Sequence, residues 1–336
     1  MRDTNTGRRA ALMGAGATAL AGVAGFPAAV RAADKTVRIG LQPAPLLGYY
    51  VRDRQLLEKR GIKTEWTVFP FSPPILEAMV GGSIDVALLG IGPVLSTVQR
   101  NPGIWYIYDE LANAAGLVVR TDSSIRTAKD LKGRKLAFPG KASQLYAQLA
   151  IFLKGSGVRP NDVDLVRANA TDMTTLFKRG EVEGMLCWPP FTSELVRTGE
   201  ARVVFNADDL LKAKAGHWAN SGWGVRADYA KANEDVVTAV VESLHEATRA
   251  LREKPDEVHA VFAAATKYKP EAVKFIIEKG FNAYFDPKDT APSVKAMHEI
   301  FTVLEEHRIV KADGDIRPAL EALVHPEYVE KVLAKG

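Results

Sequence analysis

The 336-residue sequence predicts an α/β protein of two lobes, each a mostly parallel sheet flanked by helices, followed by a helical C-terminal third. Three observations predict this class. The chain is longer than one hydrophobic core usually supports. Short apolar segments alternate with helical patterns along its first two thirds. One helix–strand–helix unit also recurs about a hundred residues further on.

The charge of the chain is concentrated at its N-terminus. Lys and Arg number 44 against 40 Asp and Glu, a formal net charge of +4. Four arginines and one aspartate lie within residues 1–32, so the remainder carries 40 basic and 39 acidic residues. A nearly neutral body lacks the basic surface that nucleic acid requires. The single cysteine, Cys187, excludes an internal disulfide and a zinc site built on several thiolates.

Residues 1–32 have the pattern of a signal peptide. The pair Arg8-Arg9 precedes the Ala/Gly-rich stretch Ala10–Val30, which is too weakly apolar for a membrane span. Val30 and Ala32 suit a signal-peptidase site, so we expect cleavage after Ala32 and export to the periplasm. The arginine pair predicts a twin-arginine leader. Because bulkier residues usually follow such a pair, a Sec leader or a cytosolic N-terminal helix stays open.

The first group of elements follows the leader. Glycine and proline mark its helix ends: Gly61 ends the predicted helix Tyr49–Arg60, and Ser72-Pro73 begins the helix Ile75–Val80. Gly92-Pro93 opens a further helix. The predicted strands are Val37–Gln42, Lys63–Phe69, Asp85–Leu89, Ile104–Tyr108 and Leu117–Arg120.

The second group has the same rhythm. Its predicted strands are Lys135–Phe138, Val163–Arg167, Glu183–Cys187 and Arg202–Phe205. Its predicted helices are Gln144–Lys154, Met173–Lys178 and Phe191–Arg197. A short strand beginning at Trp223 leads into the C-terminal third, where Val237, Val240, Val241, Leu244, Ala247 and Leu251 recur at helical spacing.

The two groups share one recognisable unit. Gly82–Leu89 and Gly180–Cys187 each contain a helix-ending glycine, a polar residue, an aliphatic residue, an acid and a strand. A proline-opened helix follows each, at Gly92-Pro93 and at Pro189-Pro190. The repetition predicts two lobes of one design, although any two β–α units look similar at this level.

Enzyme motifs are absent from the sequence. Gly133–Ala142 fails as a phosphate-binding loop, because its glycines are wrongly spaced and Ala142 stands where a hydroxyl is required. No nucleophile elbow, zinc-protease motif or dinucleotide fingerprint occurs. The six histidines lack metal-ligand spacing, and Cys187 lies in an apolar strand typical of a small core residue. We therefore expect no catalytic residue, no cofactor and no metal, and a protein that is not an enzyme.

Three turns are candidates for binding an anion. In open α/β sheets, ligands bind outside the carboxyl ends of the strands. Helix N-termini there offer free N–H groups and the positive end of the helix dipole. The candidate turns are Ser72-Pro73, Gly92-Pro93 and Gly140–Ser143. In the third, Ser143 supplies a hydroxyl and Lys141 a positive charge. An ordinary capped helix is the alternative for each.

Aromatic residues are frequent near the same turns. They include Tyr49, Tyr50, Phe69, Phe71, Trp188, Phe191, Trp218 and Trp223. A cleft with aromatic walls and few polar groups is typical of a small-molecule site. Any single ring is also explained as core, but Trp188 and Trp223 flank turns.

Several segments, in this order, resemble one family. They are QPAPLLGYY, FSPPILEAMVGGSIDVALLGIGP, DLKGRKLAFPGKAS, GEVEGMLCWPPF and WGVRADYA. The family is that of periplasmic substrate-binding proteins of ABC importers of the alkanesulfonate/taurine/nitrate type. The resemblance implies a type II periplasmic-binding-protein fold in which the chain crosses twice between the lobes. Lobe 1 is then 33–119 plus 224–336, and lobe 2 is 120–223.

The resemblance also implies a function and a set of ligand-binding residues. These are Gly48, Tyr49, Ser72, Gly92, Ser143, Trp188 and Trp223, to which our own analysis adds Lys141. The implied protein is a monomer that captures an aliphatic sulfonate or taurine-like anion and delivers it to a permease and its ATPase. Nitrate or bicarbonate, an aromatic carboxylate, a pyrimidine-type ligand, or an enzyme on the same scaffold stay open. Pro189 stands where many relatives have an acid, so the polar part of the site is expected to differ.

Overall fold

The computed structural model describes residues 35–43, 46–100, 102–141, 143–206, 209 and 219–335. The predicted signal peptide and Trp218 lie outside the described residues. The helical C-terminal third is confirmed, and the strands divide into two sheets.

The first sheet is built from both ends of the chain. Its strands are β1 (Thr36–Leu41), β2 (Lys63–Val68), β3 (Val86–Gly90), β4 (Ile104–Ala114), β10 (Ser221–Arg226) and β11 (Asn282–Tyr284). They lie in the order β11-β4-β10-β3-β1-β2. The strands β2, β1 and β3 are mutually parallel, whereas β10 runs antiparallel to both β3 and β4.

The second sheet uses the middle of the chain. Its strands are β5 (Gly116–Arg120), β6 (Lys135–Phe138), β7 (Asp164–Arg167), β8 (Gly184–Cys187) and β9 (Ala201–Asn206). Their order is β7-β6-β8-β5-β9. Here β7, β6 and β8 are parallel, and β5 runs antiparallel to β8 and β9.

Helices connect these strands and form the C-terminal third. In the first two thirds they are α1 (Leu47–Asp53), α2 (Ser72–Val80), α3 (Ile91–Leu95), α4 (Gln144–Leu153), α5 (Ala170–Lys178) and α6 (Phe191–Arg197). The later ones are α7 (Ala227–Ala232), α8 (Glu234–Glu253), α9 (Pro255–Thr266), α10 (Pro270–Glu278), α11 (Val294–Glu306), α12 (Arg317–Leu323) and α13 (Glu327–Leu333).

The repeated unit in the sequence corresponds to a repeated position in the two sheets. Gly82–Leu89 leads into β3, which lies between parallel β1 and antiparallel β10. Gly180–Cys187 leads into β8, which lies between parallel β6 and antiparallel β5. The orders β2-β1-β3-β10 and β7-β6-β8-β5 are therefore equivalent. The two sheets follow one design.

Each sheet is mixed, which refines the expectation of mostly parallel sheets. The strands that carry the chain between the sheets are the antiparallel ones. β4 ends at Ala114 and β5 begins at Gly116, so one crossing takes a single residue, Ala115. The return runs from the end of β9 to the start of β10, and β10 lies wholly in the first sheet. The lobe boundaries at 119/120 and 223/224 stay a prediction.

The first predicted helix is shorter than expected. Instead of Tyr49–Arg60, α1 ends at Asp53, and a separate 3-10 turn covers Glu58–Arg60. Gln55 lies between them with φ of +52°, in the left-handed region that interrupts a helix. The sequence offers no glycine or proline at this position, so the pattern of apolar residues alone could not reveal the break.

The central strand β10 has unusually little space around its glycines. A Cβ atom built on Gly222 would lie 2.2 Å from the carbonyl oxygen of Tyr108 and 2.3 Å from the hydroxyl of Tyr106. One on Gly224 would lie 2.9 Å from a methyl group of Leu89 and 3.1 Å from one of Ile104, whereas the nearest backbone atom, the Trp105 carbonyl oxygen, is 3.5 Å away. Backbone of a neighbouring strand cannot move aside as a side-chain methyl can. Glycine at 222 therefore allows β4 and β10 to pair closely.

We expect Gly222→Ala to destabilise the protein more than Gly224→Ala. Overpacking in a sheet interior costs typically about 1–3 kcal/mol, and the steric clash at 222 is the more severe. Urea-induced unfolding of both variants and the parent measures this difference. Equal stability of the two variants would contradict the assigned backbone contact.

Candidate functional site

Two of the predicted anion-binding turns are joined directly by Ser72. The Ser72 hydroxyl oxygen accepts a hydrogen bond from the Gly90 N–H (2.8 Å) and another from the Gln42 side-chain amide (2.9 Å). The same Gln42 amide donates to the carbonyl oxygen of Leu88 at 3.0 Å. The buried Ser72 hydroxyl thus links the carboxyl ends of β1 and β3 to the start of α2.

The third turn is joined to the first two through residues 219 and 220. The Ile91 N–H donates to the carbonyl oxygen of Asn220 at 3.0 Å. On the other side, the Gln144 amide donates to the Ala219 carbonyl (3.1 Å), and the Gln148 amide donates to the Asn220 side-chain oxygen (3.2 Å). Residues 219–220 therefore lie between the start of α3 and the first turns of α4. We call this meeting point of the three turns the junction.

Helix α4 packs on both halves of the molecule. Its residues Leu145 and Leu149 belong to the hydrophobic cluster of the second sheet. Ala147 belongs to a cluster of the first sheet, and Ile151 packs against that cluster. Because α4 follows β6 of the second sheet, this packing places its N-terminus at the junction.

The N-terminus of α4 combines a hydroxyl group with a nearby cation. The Ser143 Oγ is buried and has no hydrogen-bond partner among the described residues. Gly140 has φ of +126°, and a Cβ atom there would lie 3.3 Å from the Arg167 Nε atom. Glycine thus permits both the turn and the approach of Arg167. The Arg167 side chain is exposed and forms no ion pair with the residues that the structure describes.

Lys141 lies beside the same helix. It is exposed, its ammonium group donates to the Asn161 side-chain oxygen at 3.3 Å, and it lies 5.7 Å from the centre of the Tyr146 ring. Its charge is near the first turn of α4 but is directed to Asn161. A ligand contact by Lys141 stays a prediction.

Gly48 and Trp223 form a packing pair. Trp223 is 1% exposed, and a Cβ atom on Gly48 would lie 2.9 Å from its Cη2 atom. The indole N–H donates to Glu110 Oε2 at 2.7 Å. Gly48 therefore lies on the buried face of α1, and Trp223 lies in the core against it. A ligand contact by either residue stays a prediction.

Tyr49 also lies in this core. It is 3% exposed, and its ring meets the Phe262 ring edge-on at a centroid distance of 5.3 Å. Its hydroxyl donates to the Gln42 carbonyl oxygen at 3.1 Å, and burial raises the pKa of the Tyr49 hydroxyl. Tyr49 thus holds the chain at the end of β1, next to the side-chain amide that binds Ser72.

Trp188 directly follows β8. It is half-buried and packs against hydrophobic clusters on both sides of the second sheet. A cis peptide bond joins Pro189 and Pro190 immediately after it, before α6 begins. This position is at the carboxyl end of a parallel strand, as the sequence predicted, and its ligand contact stays a prediction.

The structure therefore groups the predicted residues unequally. Ser72, Gly92 and Ser143 belong to turns that meet at the junction, whereas Gly48, Tyr49 and Trp223 lie in the core beneath it. The side chains that sequence reasoning missed are Gln42, Gln144, Gln148, Arg167 and Asn220. Two signals were available. Arg167 ends a predicted strand, and Gln144 and Gln148 are spaced four apart, on one face of a predicted helix.

Neither a reactive thiol nor a cluster of metal ligands is found among the described residues. The pKa of the Cys187 thiol is raised by burial, so a reactive thiolate is disfavoured. Within the described ranges, no group of three or more metal-ligating side chains occurs. The described helices include none that combines the length and apolar character needed to cross a membrane.

Glu110 is a buried carboxyl group next to the junction. It is 1% exposed; its Oε2 accepts the Trp223 indole N–H, and its Oε1 accepts the Leu47 N–H at the start of α1 at 3.2 Å. Burial raises its pKa to about 7, although both hydrogen bonds oppose this change. The group therefore titrates near neutral pH while it holds α1 and β10 together.

Known structures share this fold. The alkanesulfonate-binding protein SsuA from Xanthomonas axonopodis pv. citri, solved bound to MOPS, superposes with a TM-score of 0.72 at 25% identity, covering 86% of this chain and 99% of that chain. This similarity confirms the predicted two-lobe α/β fold class of periplasmic binding proteins. The family described as NMT1/THI5 like matches residues 56–258, more than half of the chain, so the protein belongs to that family.

Curated relatives of the chain are binding proteins. An aliphatic sulfonates-binding protein of Escherichia coli (strain K12) is 29% identical over 73% of this chain and 77% of its own length. The taurine-binding periplasmic protein of the same strain is 26% identical over 61% of this chain and 62% of its own length. One enzyme has the same fold: the desulfurization enzyme DSZB superposes with a TM-score of 0.64 at 19% identity, covering 90% of this chain and 99% of that chain.

Glu110→Gln is expected to flatten the dependence of stability on pH. The folded-state pKa of about 7 exceeds the ordinary value of 4.5. The folded state therefore holds the proton more tightly, and stability is lost as pH rises between these values. The loss is on the order of 3 kcal/mol at high pH, and glutamine cannot lose a proton.

Urea unfolding of both proteins from pH 4 to pH 9 tests this expectation. We expect the parent to lose stability relative to Glu110→Gln as pH rises. The hydrogen bond altered by the substitution changes the stability of the variant by the same amount at every pH, so it does not affect this comparison. Parallel curves across this range would show that Glu110 does not titrate with a raised pKa.

Proposed function

We propose that the protein is the solute-binding component of an ABC importer. It binds a small organic anion of the aliphatic sulfonate or taurine type at the junction, releases it chemically unchanged to a permease and its ATPase, and works in the periplasm after its leader is removed. The names of its curated relatives and the fold support this proposal.

The observation that carries the proposal is the unpartnered Ser143 hydroxyl. A buried polar atom without a partner costs free energy unless a water or ligand completes it. Ser143 directly precedes α4, where free backbone N–H groups and the helix dipole favour negative charge. Arg167 lies nearby with no ion pair among the described residues. Hydroxyl, backbone N–H groups and guanidinium are all donors, and together they suit an anion.

A sulfonate matches these donors. It is ionised throughout the physiological pH range and presents three acceptor oxygens, so no protein group needs to supply or take a proton. The planar guanidinium of Arg167 can bind two of these oxygens at once. Carboxylate has one acceptor oxygen fewer and nitrate has no organic body, which is why we favour a sulfonate.

The organic part of the ligand has an apolar surface available nearby. Val68 ends β2, Phe71 directly precedes Ser72, and each is 49% exposed. Exposed large apolar side chains beside a polar site are typical of ligand contact. We call Val68 and Phe71 the apolar lip. The apolar lip belongs to the first sheet and Arg167 to the second, so an amphiphilic ligand that used both would contact both sheets.

Binding between two sheets requires movement of one against the other. The single-residue crossing at Ala115 and the return near residues 206–221 are the covalent links between them. We propose that the two lobes open and close about these links and that the protein acts as a monomer. Such hinge closure around a ligand is common in two-lobed binding proteins.

Binding and enzymatic activity differ in what happens to the ligand. If the chain acted like the desulfurization enzyme that shares its fold, a bound sulfonate or sulfinate would be consumed. Chromatography of the ligand after prolonged incubation with the protein separates these cases. We expect quantitative recovery of unchanged sulfonate, and sulfite release would favour an enzyme.

Arg167→Gln is expected to weaken sulfonate binding at least tenfold. Hydrogen bonds to charged groups contribute about 1.5–3 kcal/mol, and tenfold corresponds to about 1.4 kcal/mol. Isothermal titration calorimetry with butanesulfonate measures the change. Arg179→Gln is the matched control, because Arg179 is an exposed arginine of the second half that follows the far end of α5. Equal losses in both variants would mean that Arg167 contributes only general charge.

Phe71→Ala is expected to reduce the preference for longer alkyl chains. Each buried methylene contributes about 0.8 kcal/mol, or about fourfold in affinity. The affinity of the parent should therefore increase from ethanesulfonate to hexanesulfonate, and the affinity of the variant should increase less with each added carbon. Val80→Ala is the control, since Val80 is 62% exposed at the opposite end of α2. If the gain in affinity per carbon were the same in the parent and in Phe71→Ala, the apolar lip would not contact the ligand.

A further inference from the structure

The C-terminal helices border a cavity that is partly open to solvent and shares no residue with the junction. It has a volume of about 310 Å³ and lies between the end of α8, the start of α9, α10 and β11. Leu251, Pro255 and Ile277 form apolar walls. A volume of this size is at the lower end of those that hold small molecules.

Two buried polar side chains of this cavity have atoms without a hydrogen-bond partner among the described residues. His259 is 7% exposed and lines the cavity, yet neither of its ring nitrogens has a hydrogen-bond partner among the described residues. The side-chain oxygen of Asn282, which is 6% exposed and lines the same cavity, also has none. Buried polar atoms are nearly always satisfied, so an occupant is indicated. One water molecule fills only about 30 Å³, a small part of this space.

The charges around the cavity indicate an uncharged occupant. Arg252, at the wall, is engaged by Asp286 at 3.1 Å and by the Tyr284 carbonyl oxygen at 2.8 Å. Lys274 pairs with Glu278 at 3.6 Å. Burial lowers the pKa of His259, so its ring is neutral at neutral pH and offers one N–H donor and one acceptor nitrogen. An anion would find no unpaired positive charge among the described residues that line the cavity, and the carboxylate of Asp256, which acts on His259, is exposed to solvent.

We propose that this cavity binds a small uncharged molecule consisting of a hydroxyl group on an apolar, ring-sized body. The hydroxyl both donates and accepts, as the neutral imidazole of His259 does, and the ring fills the space between Leu251 and Ile277. The site is separate from the anion site, so it does not depend on the function proposed for the junction.

Phenol and toluene are suitable probes, since they differ by the hydroxyl group. In the protein with ¹⁵N-labelled histidine, phenol should shift the ring-nitrogen resonances of His259, and toluene should shift them less. His259→Leu should weaken phenol binding at least tenfold in a calorimetric titration while toluene binding is unchanged or tighter. His245→Leu should leave phenol binding unchanged, because His245, also partly buried with an unpartnered Nδ1, does not line the cavity.

Two results would overturn the proposal. One is that His259 resonances do not respond to phenol up to its solubility limit. The other is that a crystal soaked in phenol shows only ordered water bonded to His259 and Asn282. The resonance measurement uses the unmodified protein, so it decides the question even if His259→Leu fails to fold.

Discussion

The arrangement of this protein depends on the hydrogen bonds of residues 219 and 220. The carbonyl of Asn220 receives the N–H at the start of α3, and the Ala219 carbonyl and Asn220 side chain receive the amides of Gln144 and Gln148 from α4. These residues precede β10, so one short segment connects helices that belong to different sheets. Together with the packing of α4 on hydrophobic clusters of both sheets, this segment brings the strand ends of the two sheets together.

Several aromatic residues that lie beside turns in the sequence are buried in the core beneath the junction. Trp223 is buried to support α1, and its indole N–H is matched by the carboxyl group of Glu110. Tyr49 holds the end of β1 through the carbonyl of Gln42, whose side chain in turn binds Ser72. Trp223 and Tyr49 thus hold α1 and the end of β1 in place, and a direct contact of either residue with a ligand stays a prediction. An aromatic residue beside a turn in the sequence is equally consistent with packing in the core and with contacting a ligand, because burial depends on the tertiary structure.

Local patterns in the sequence were good indicators of the elements, and poorer ones of their lengths. Glycines, prolines and apolar periodicity located every described strand of the two sheets except β11, and the repeat around Gly82 and Gly180 predicted their common design. The extension of β4 to Ala114 was missed, since that segment owes its strand conformation to pairing with β10 and β11. The break at Gln55 was missed because a left-handed residue other than glycine leaves no mark in the sequence.

The sequence predicted the kind of elements, the doubled α/β design and the turns that are candidates for binding an anion. These follow from backbone preferences and apolar spacing within short segments. The tertiary structure alone decided which turns meet, that Arg167 approaches Gly140, and that Trp223 and Gly48 are packed together. The physical reason is that such contacts join residues far apart in the chain. Their distances depend on sheet order and helix packing, which no single segment encodes.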